Sequence, residues 1–223
     1  MHLGAVQMIK KSKSKGIYNR FFKRFFDILL ALVLLLPATL LVSICYIAIK
    51  LETKGPAFFV QKRPGFKGKV FKIYKLRTMI VETTKNGKVM SDMERITKAG
   101  RIIRKLSLDE LPQILNILRL QMSFIGPRPL LTEYLPLYTK EQMRRHDVLP
   151  GISGWSQVNG RNELSWEQKF ERVCWYVDNV SFVLDAKIFF MTILNVLKRQ
   201  GINAGLNETM VAFNKNVKEA PNG

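Results

Sequence analysis

The sequence predicts an α+β fold, mostly helical with a small β-hairpin or sheet, attached to a membrane through an N-terminal re-entrant helix-break-helix. Three observations carry this expectation. Residues 28–49 hold no formal charge, and as a helix they reach ~33 Å, the depth of a bilayer's hydrocarbon core. Phe58-Phe59-Val60-Gln61-Lys62-Arg63 and the stretch Val70 to Met79 read as two strands joined by a Gly-containing turn at Pro64-Gly65-Phe66-Lys67-Gly68. Beyond them apolar residues recur at helical spacing, at Ile96, Ile102, Ile103 and Leu106, and again at Leu111, Ile114, Leu115 and Leu118.

The membrane segment has an unusual setting. Lys10, Lys11, Lys13, Lys15, Arg20, Lys23 and Arg24 precede it, and Lys50, Lys54, Lys62, Arg63, Lys67 and Lys69 follow it. Basic residues mark the cytoplasmic side of a membrane segment, and here both flanks are basic. Pro37 lies near the middle, where a proline removes a backbone hydrogen bond and bends a helix. Thr39 and Ser43 are placed to satisfy the freed carbonyls. A helix that dips into one leaflet at the Pro37 break and returns accounts for all three facts; a single kinked span is the alternative. The expected organisation is a basic segment 1–24, the re-entrant helix 25–50, a cytoplasmic catalytic domain 51–200 with interfacial helices, and a polar, mobile tail 201–223. Ile188 to Leu197 suits a helix lying on the membrane or one buried in the core.

The chain holds 36 Lys and Arg against 17 Asp and Glu, a formal charge of +19. Such a surplus calls for an anionic partner: acidic lipid, a phosphorylated substrate or nucleic acid. The basic residues are spread along the chain and no nucleic-acid motif appears, so no nucleic-acid partner is expected. Two cysteines, Cys45 and Cys174, cannot build a disulfide framework and suit a reducing compartment.

Four local patterns bear chemistry. Ser107-Leu108-Asp109-Glu110-Leu111-Pro112-Gln113 has capping-box spacing, so a helix start is its plain reading. Arg101, Arg104 and Lys105 before it and Arg128 after it change the balance. A carboxylate pair among cations suits phosphoryl transfer, with the aspartate as nucleophile or metal ligand and the arginines taking up oxyanion charge. In Gly126-Pro127-Arg128-Pro129-Leu130 the prolines stiffen the backbone about Arg128, presenting it to a phosphate or simply making a turn. On a strand, Lys75 and Arg77 of Lys72-Ile73-Tyr74-Lys75-Leu76-Arg77-Thr78-Met79 share a face, either as an anion site or as a solvated edge. The loop from Pro150-Gly151 to Asn162 has amides suited to a nucleotide, although Asn159-Gly160 can equally be a hairpin turn.

Phe71-Lys72-Ile73-Tyr74-Lys75, the Asp109-Glu110 segment, Gly126 to Leu130 and Pro150 to Asn162, in this order, resemble the monotopic phosphoglycosyl transferases, or bacterial sugar transferases. The likeness runs from Lys23-Arg24-Phe25-Phe26-Asp27 to Lys198-Arg199, and the length resembles the family's minimal form. The resemblance implies transfer of a sugar 1-phosphate from a UDP-sugar to polyprenyl (undecaprenyl) phosphate with release of UMP, the first membrane step of bacterial glycoconjugate biosynthesis. Asp109 matches the nucleophile that forms an aspartyl-phosphosugar intermediate and the ligand of Mg²⁺. Glu110 matches the second member of the dyad, for acid–base work or for orienting the acceptor phosphate. Lys75, Arg104 and Arg128 match basic active-site positions. Arg77, Arg145, Gln157, Asn159 and Arg161 complete the expected phosphate- and nucleotide-binding set. The expected partners are a UDP-sugar, polyprenyl phosphate and anionic membrane lipid, with a second copy or downstream glycosyltransferases as further associates, at the cytoplasmic face of the inner membrane. The family's helix break carries Ser-Pro, whereas Leu36 precedes Pro37 here. Arg145-His146-Asp147 and Ser165-Trp166-Glu167-Gln168-Lys169-Phe170 resemble the di-N-acetylbacillosaminyl-phosphate transferases, which implies an N-acetylated amino sugar. A membrane-tethered basic binding or scaffold protein without turnover is the competing reading.

Overall fold

The computed structural model describes residues 14, 16–85, 87–160, 164–198 and 213. After one π-helical turn, Tyr18–Phe22, the long helix α1 covers Lys23–Glu52. Strands β1 (Phe58–Pro64) and β2 (Val70–Leu76) follow, then the short pair β3 (Thr84–Lys85) and β4 (Lys88–Val89). Helices α2 (Asp92–Arg95), α3 (Lys98–Lys105) and α4 (Ile114–Leu118) lead to strand β5 (Ser123–Ile125). Helix α5 (Lys140–Met143), strand β6 (Gly151–Ser153) and helices α6 (Trp155–Val158), α7 (Trp166–Asn179) and α8 (Phe182–Leu197) complete the order. The expected class, mostly helical with small sheets, is the class observed.

Helix α1 inverts the usual amphipathic pattern. Its buried residues are Lys23, Asp27, Ala31, Ala38, Cys45 and Ile49, so small side chains spaced by seven (31, 38, 45) form the face toward the domain. Small residues there let the backbones approach closely. The large residues Leu29, Leu32, Val33, Leu36, Leu40, Leu41, Ile44, Ile47 and Leu51 are exposed. Over Tyr18–Glu52 the helical segment is long and apolar enough to cross a membrane. Exposed apolar surface this continuous marks an interaction face.

The helix continues through Pro37, so the expected break leaves no gap in the helical backbone. Proline removes the bond to Val33 O, and just beyond it Thr39 Oγ1 donates to Leu35 O at 2.7 Å and Ser43 Oγ to Thr39 O at 2.9 Å, side-chain bonds of the kind that bend a helix. The domain also packs against α1 on both sides of Pro37, through Ala31 and Ala38 in one cluster and Cys45 and Ile49 in another. At its far end Glu52 accepts the Lys98 and Ala99 amides at 2.6 and 2.8 Å, capping α3 with a carboxylate where helix N-termini favour negative charge.

β1 and β2 form the expected antiparallel hairpin, with Phe59 opposite Lys75, Gln61 opposite Ile73 and Arg63 opposite Phe71. Its inner face meets α1 and α4 through Phe71, Ile73, Ile114, Ile117 and Met122. Asn116 fixes the register of that contact: its Nδ2 donates to Lys72 O at 2.7 Å and its Oδ1 accepts the Tyr74 amide at 3.3 Å. A second core joins β5 to α7 and α8 through Ile125, Tyr176, Val177, Leu184 and Ile188. In helix α8, Leu184 and Ile188 are buried while Phe190, Ile193, Leu194 and Leu197 are exposed. From the C-terminal tail, expected to be polar and mobile, Phe213 is the residue described. It is buried against Tyr134 and Phe170, with the ring of Trp166 centred 5.2 Å away.

Candidate functional site

Asp109 and Glu110 lie on a 3₁₀ segment, Leu108–Gln113, between α3 and α4. The capping box expected there does not form. Ser107 adopts a left-handed conformation (φ 55°) and its side chain caps nothing. Pro112 explains the 3₁₀ geometry: in an α-helix its ring would clash with the carbonyl of Leu108 and its missing N–H would leave that carbonyl unpaired. The result is a tight ledge that presents two consecutive carboxylates to the end of β2.

The two carboxylates have opposite surroundings. Lys75 Nζ at 2.8 Å and Arg128 Nη2 at 2.7 Å both donate to the same oxygen, Glu110 Oε1. The Glu110 side chain is only 15% exposed, and the flanking cations outweigh its burial, holding its pKa down at about 2. Asp109 has no hydrogen-bond or ion-pair partner among the described residues. Desolvation, reinforced by the charge of Glu110, pushes its pKa up to about 6, while Lys75, Arg128 and Arg104 oppose that rise. Carboxylate neighbours whose environments push their pKa values apart divide the labour between a fixed charge and a reactive group.

The backbone around Arg128 is held from three sides. The Gly126 amide donates to Ser153 O at 2.8 Å and the Gly151 amide to Pro127 O at 3.0 Å. A Cβ on Gly126 would stand 2.3 Å from Leu149 O, and one on Gly151 would stand 2.1 Å from the Gly126 nitrogen. The two segments therefore cross at backbone contact, which only glycine permits. Arg145 Nη2 closes the third side by donating to Arg128 O at 2.6 Å.

Of the expected site residues, the structure brings Lys75, Arg104, Asp109, Glu110 and Arg128 together. Arg104 donates from Nε to Thr78 Oγ1 at 2.7 Å, and its charge reaches Asp109. Arg77 is not with them. β2 ends at Leu76, and the buried Arg77 guanidinium donates to Lys54 O and Thr53 Oγ1, just past the end of α1, at 2.8 and 2.7 Å. Arg145, expected to hold phosphate, is buried over the rings of Tyr138 and Phe170 and acts on Arg128 instead. Gln157 and Asn159 bond within their own segment, to Ile152 O and Trp155 O, and the glycines before them serve the Arg128 loop. Arg161 lies outside the described residues. Sequence reasoning missed Asn116, because an asparagine inside a short helix reads as a surface residue.

Among the described residues no group of three or more His, Cys, Asp or Glu side chains is placed to hold a metal ion. The uncommitted Asp109 carboxylate is nevertheless the kind of oxygen donor that Mg²⁺ takes, since this ion binds through one or two carboxylates plus substrate phosphates. The donor set fits Mg²⁺ brought in with a diphosphate.

Residues 18–199 match the model of the bacterial sugar transferase family. An uncharacterized sugar transferase, EpsL, of Bacillus subtilis (strain 168) is 52% identical over 191 residues, 86% of this chain and 95% of the relative. The UDP-glucose:undecaprenyl-phosphate glucose-1-phosphate transferase of Escherichia coli (strain K12) is 40% identical over 187 residues, 78% of this chain and 40% of that protein. The UDP-N-acetylgalactosamine-undecaprenyl-phosphate N-acetylgalactosaminephosphotransferase of Aeromonas hydrophila is 39% identical over 186 residues, 79% of this chain and 44% of the relative. This chain thus spans nearly all of EpsL and less than half of the other two. A paired-carboxylate ledge ringed by cations, set in a chain with this likeness along most of its length, makes the protein a member of the bacterial sugar transferase family.

Proposed function

We propose that the protein transfers a sugar 1-phosphate from a UDP-sugar to undecaprenyl phosphate through a covalent aspartyl intermediate, opening the assembly of a bacterial glycoconjugate. The observation that carries this reading is the division between the carboxylates. Glu110 is committed to Lys75 and Arg128, whereas Asp109 is desolvated, unpartnered and next to three cations. A nucleophile needs that freedom, because a carboxylate locked in ion pairs with its own chain is not free to reach phosphorus.

Asp109 attacks the β-phosphorus of the donor; the bond from that phosphorus to the bridging oxygen breaks, and UMP leaves with the electron pair. An oxygen of undecaprenyl phosphate then attacks the same phosphorus and expels the Asp109 carboxylate, giving the lipid diphosphosugar. Arg128 and Lys75, kept in place by Glu110, face the charge that develops on the transferred group. Glu110 is their anchor and orients the acceptor phosphate through them. Mg²⁺, held by Asp109 together with the donor diphosphate, would neutralise that diphosphate's charge.

The large exposed side chains of α1, with those of α8, give this fold an apolar face for one leaflet. The domain lies along α1 from Asp27 to Ile49, which leaves no free length of helix to cross to the far side. This supports monotopic attachment, at the cytoplasmic face where the basic flanks meet anionic lipid. The two segments that imply an N-acetylated amino sugar meet in one place: Arg145 lies over Phe170, and Trp166 stacks on Phe170. The relatives' names carry glucose and N-acetylgalactosamine at nearly equal identity, so overall likeness does not choose the sugar.

The test is intact-protein mass spectrometry after mixing with a panel of UDP-sugars and no acceptor. A mass gain of one sugar phosphate, with matching UMP release, is expected for the wild type and absent from Asp109→Asn. UMP release by Asp109→Asn at the wild-type rate would sink the covalent mechanism, and tight lipid binding with no turnover on any donor would favour a scaffold.

A further inference from the structure

We infer that Phe213 is a positioning residue for the reaction: it fixes Arg128 through Tyr138, Phe170 and Arg145, so that a part of the chain beyond the family's span helps to set the site. The inference rests on the reading proposed above. The match to the family model ends at residue 199, and Phe213 is the one aromatic residue in the stretch 201–223.

Phe213 is 7% exposed and meets four rings. Those of Trp166 and Phe170 are centred 5.2 Å from its own, that of Tyr134 5.6 Å and that of Tyr138 5.9 Å. Its amide also donates to the Tyr134 hydroxyl at 3.3 Å. Two of these rings carry Arg145, whose guanidinium carbon lies 5.6 Å from the centre of Tyr138 and 5.5 Å from that of Phe170. Phe213 therefore packs against both rings on which Arg145 rests.

Arg145 is 5% exposed and forms no ion pair among the described residues. A buried guanidinium without a carboxylate is costly, and its burial lowers its pKa. What it holds is Arg128 O, at 2.6 Å. That bond fixes the backbone of the arginine that reaches Glu110 and, in the reading above, faces the transferred phosphate. A charged donor binds a carbonyl strongly in a dry shell, and water admitted to the shell competes for the donor. Truncating Phe213 opens space beside Tyr138 and Phe170, which surrounding side chains fill only in part. The rings can then turn, and Arg145 can exchange the Arg128 carbonyl for water.

The experiment measures UMP release by the full-length protein in nanodiscs, as kcat and donor KM per folded molecule, with melting curves to count the folded fraction. The chains compared are wild type, Phe213→Ala, Phe213→Leu, Arg145→Met and the double variant of Phe213→Ala with Arg145→Met. Phe213→Ala is expected to lower kcat roughly 5- to 50-fold and to leave the donor KM within about twofold, with Phe213→Leu between it and wild type. In the Arg145→Met background the same truncation is expected to change kcat by less than about twofold, because the route to Arg128 is already cut. Wild-type kcat in Phe213→Ala overturns the role, and so does an equal fold-loss in both backgrounds, which would mark packing alone. Should Phe213→Ala not fold, the same cycle run with Phe213→Leu is decided on the same two criteria. If the wild-type chain releases no UMP from any UDP-sugar, the reading above falls and this role falls with it.

Discussion

Two clusters of charge among the described residues are built to opposite plans. At the start of α1, Lys23 meets Asp185 at 2.6 Å with side chains 4% and 8% exposed. Tyr18 donates to the same carboxylate at 2.8 Å and Tyr176 at 2.7 Å. Both oxygens of Asp185 are occupied, and beside them the buried Asp27, whose Oδ1 accepts the Phe124 amide at 3.1 Å, also faces Lys23, with burial raising its pKa. At the ledge, Lys75, Arg104 and Arg128 face two carboxylates of which only Glu110 is paired, and Arg128 stays 47% exposed. The closed cluster fastens α1 to α8. The open one is incomplete until an anion enters. A buried carboxylate tied through both oxygens to two elements is read as a fastener, and a free carboxylate among cations in surplus is read as a site.

Substitutions at the two clusters should therefore fail differently. Asp109→Asn is expected to lower turnover by more than about 10³-fold with no loss of thermal stability, checked by UMP release and a melting curve. A fall in melting temperature as large as that of a core variant would mean that Asp109 belongs to the framework. Asp185→Ala is expected to do the reverse, destabilising the fold by about 3–5 kcal/mol through the stranded Lys23. Denaturant titration in detergent measures this, and activity per folded molecule should stay near wild type. Gly126→Ala should cost about 1–3 kcal/mol of overpacking and shift Arg128, lowering kcat more than stability. A variant with wild-type kcat would show that the backbone crossing does not position Arg128.

The smallest expected effect is on pH. Asp109 attacks as the anion, and its pKa is raised from 3.8 to about 6. kcat/KM should fall as pH drops below about 6, and the limb should move to lower pH as the magnesium concentration rises. Linkage gives a second readout of opposite sense. A carboxylate whose pKa is raised on folding takes up protons in the folded state between the two values, so its contribution to stability declines as pH rises through that window. Asp109→Asn should flatten that slope. Glu110, held at about 2, contributes stability that is complete above its ordinary value of 4.5 and lost only as pH falls toward 2.

Much of this contrast was legible in the residues. Alternation and a Gly-containing turn gave the hairpin, hydropathy gave α1, and two carboxylates among arginines gave the ledge. What was hidden depended on where elements stop and what meets them. Lys75 and Arg77 share a face only while the strand lasts, and β2 ends between them. Pro37 was expected to break α1, yet the helix continues through it, with packing against the domain on both sides. Ser107 and Glu110 had capping-box spacing, and Pro112, four residues past Leu108, excludes the α-helix the box would cap. Arg145 looked like a phosphate ligand because arginine usually is one. Its burial over two rings, which turns it toward a backbone carbonyl, is a tertiary fact.

The fastener at Asp185 has a consequence for the order of events during synthesis. Lys23 and Asp185 are 162 residues apart, and α1 leaves the ribosome first. At about 5–20 residues per second, α1 waits roughly 10–30 s before its partner on α8 exists. Its small-residue face has no domain to cover it for that time. The Lys23–Asp185 bond can therefore close only near the end of folding, when the last helix docks onto the first, so the fastener works as the final latch of the fold rather than its nucleus.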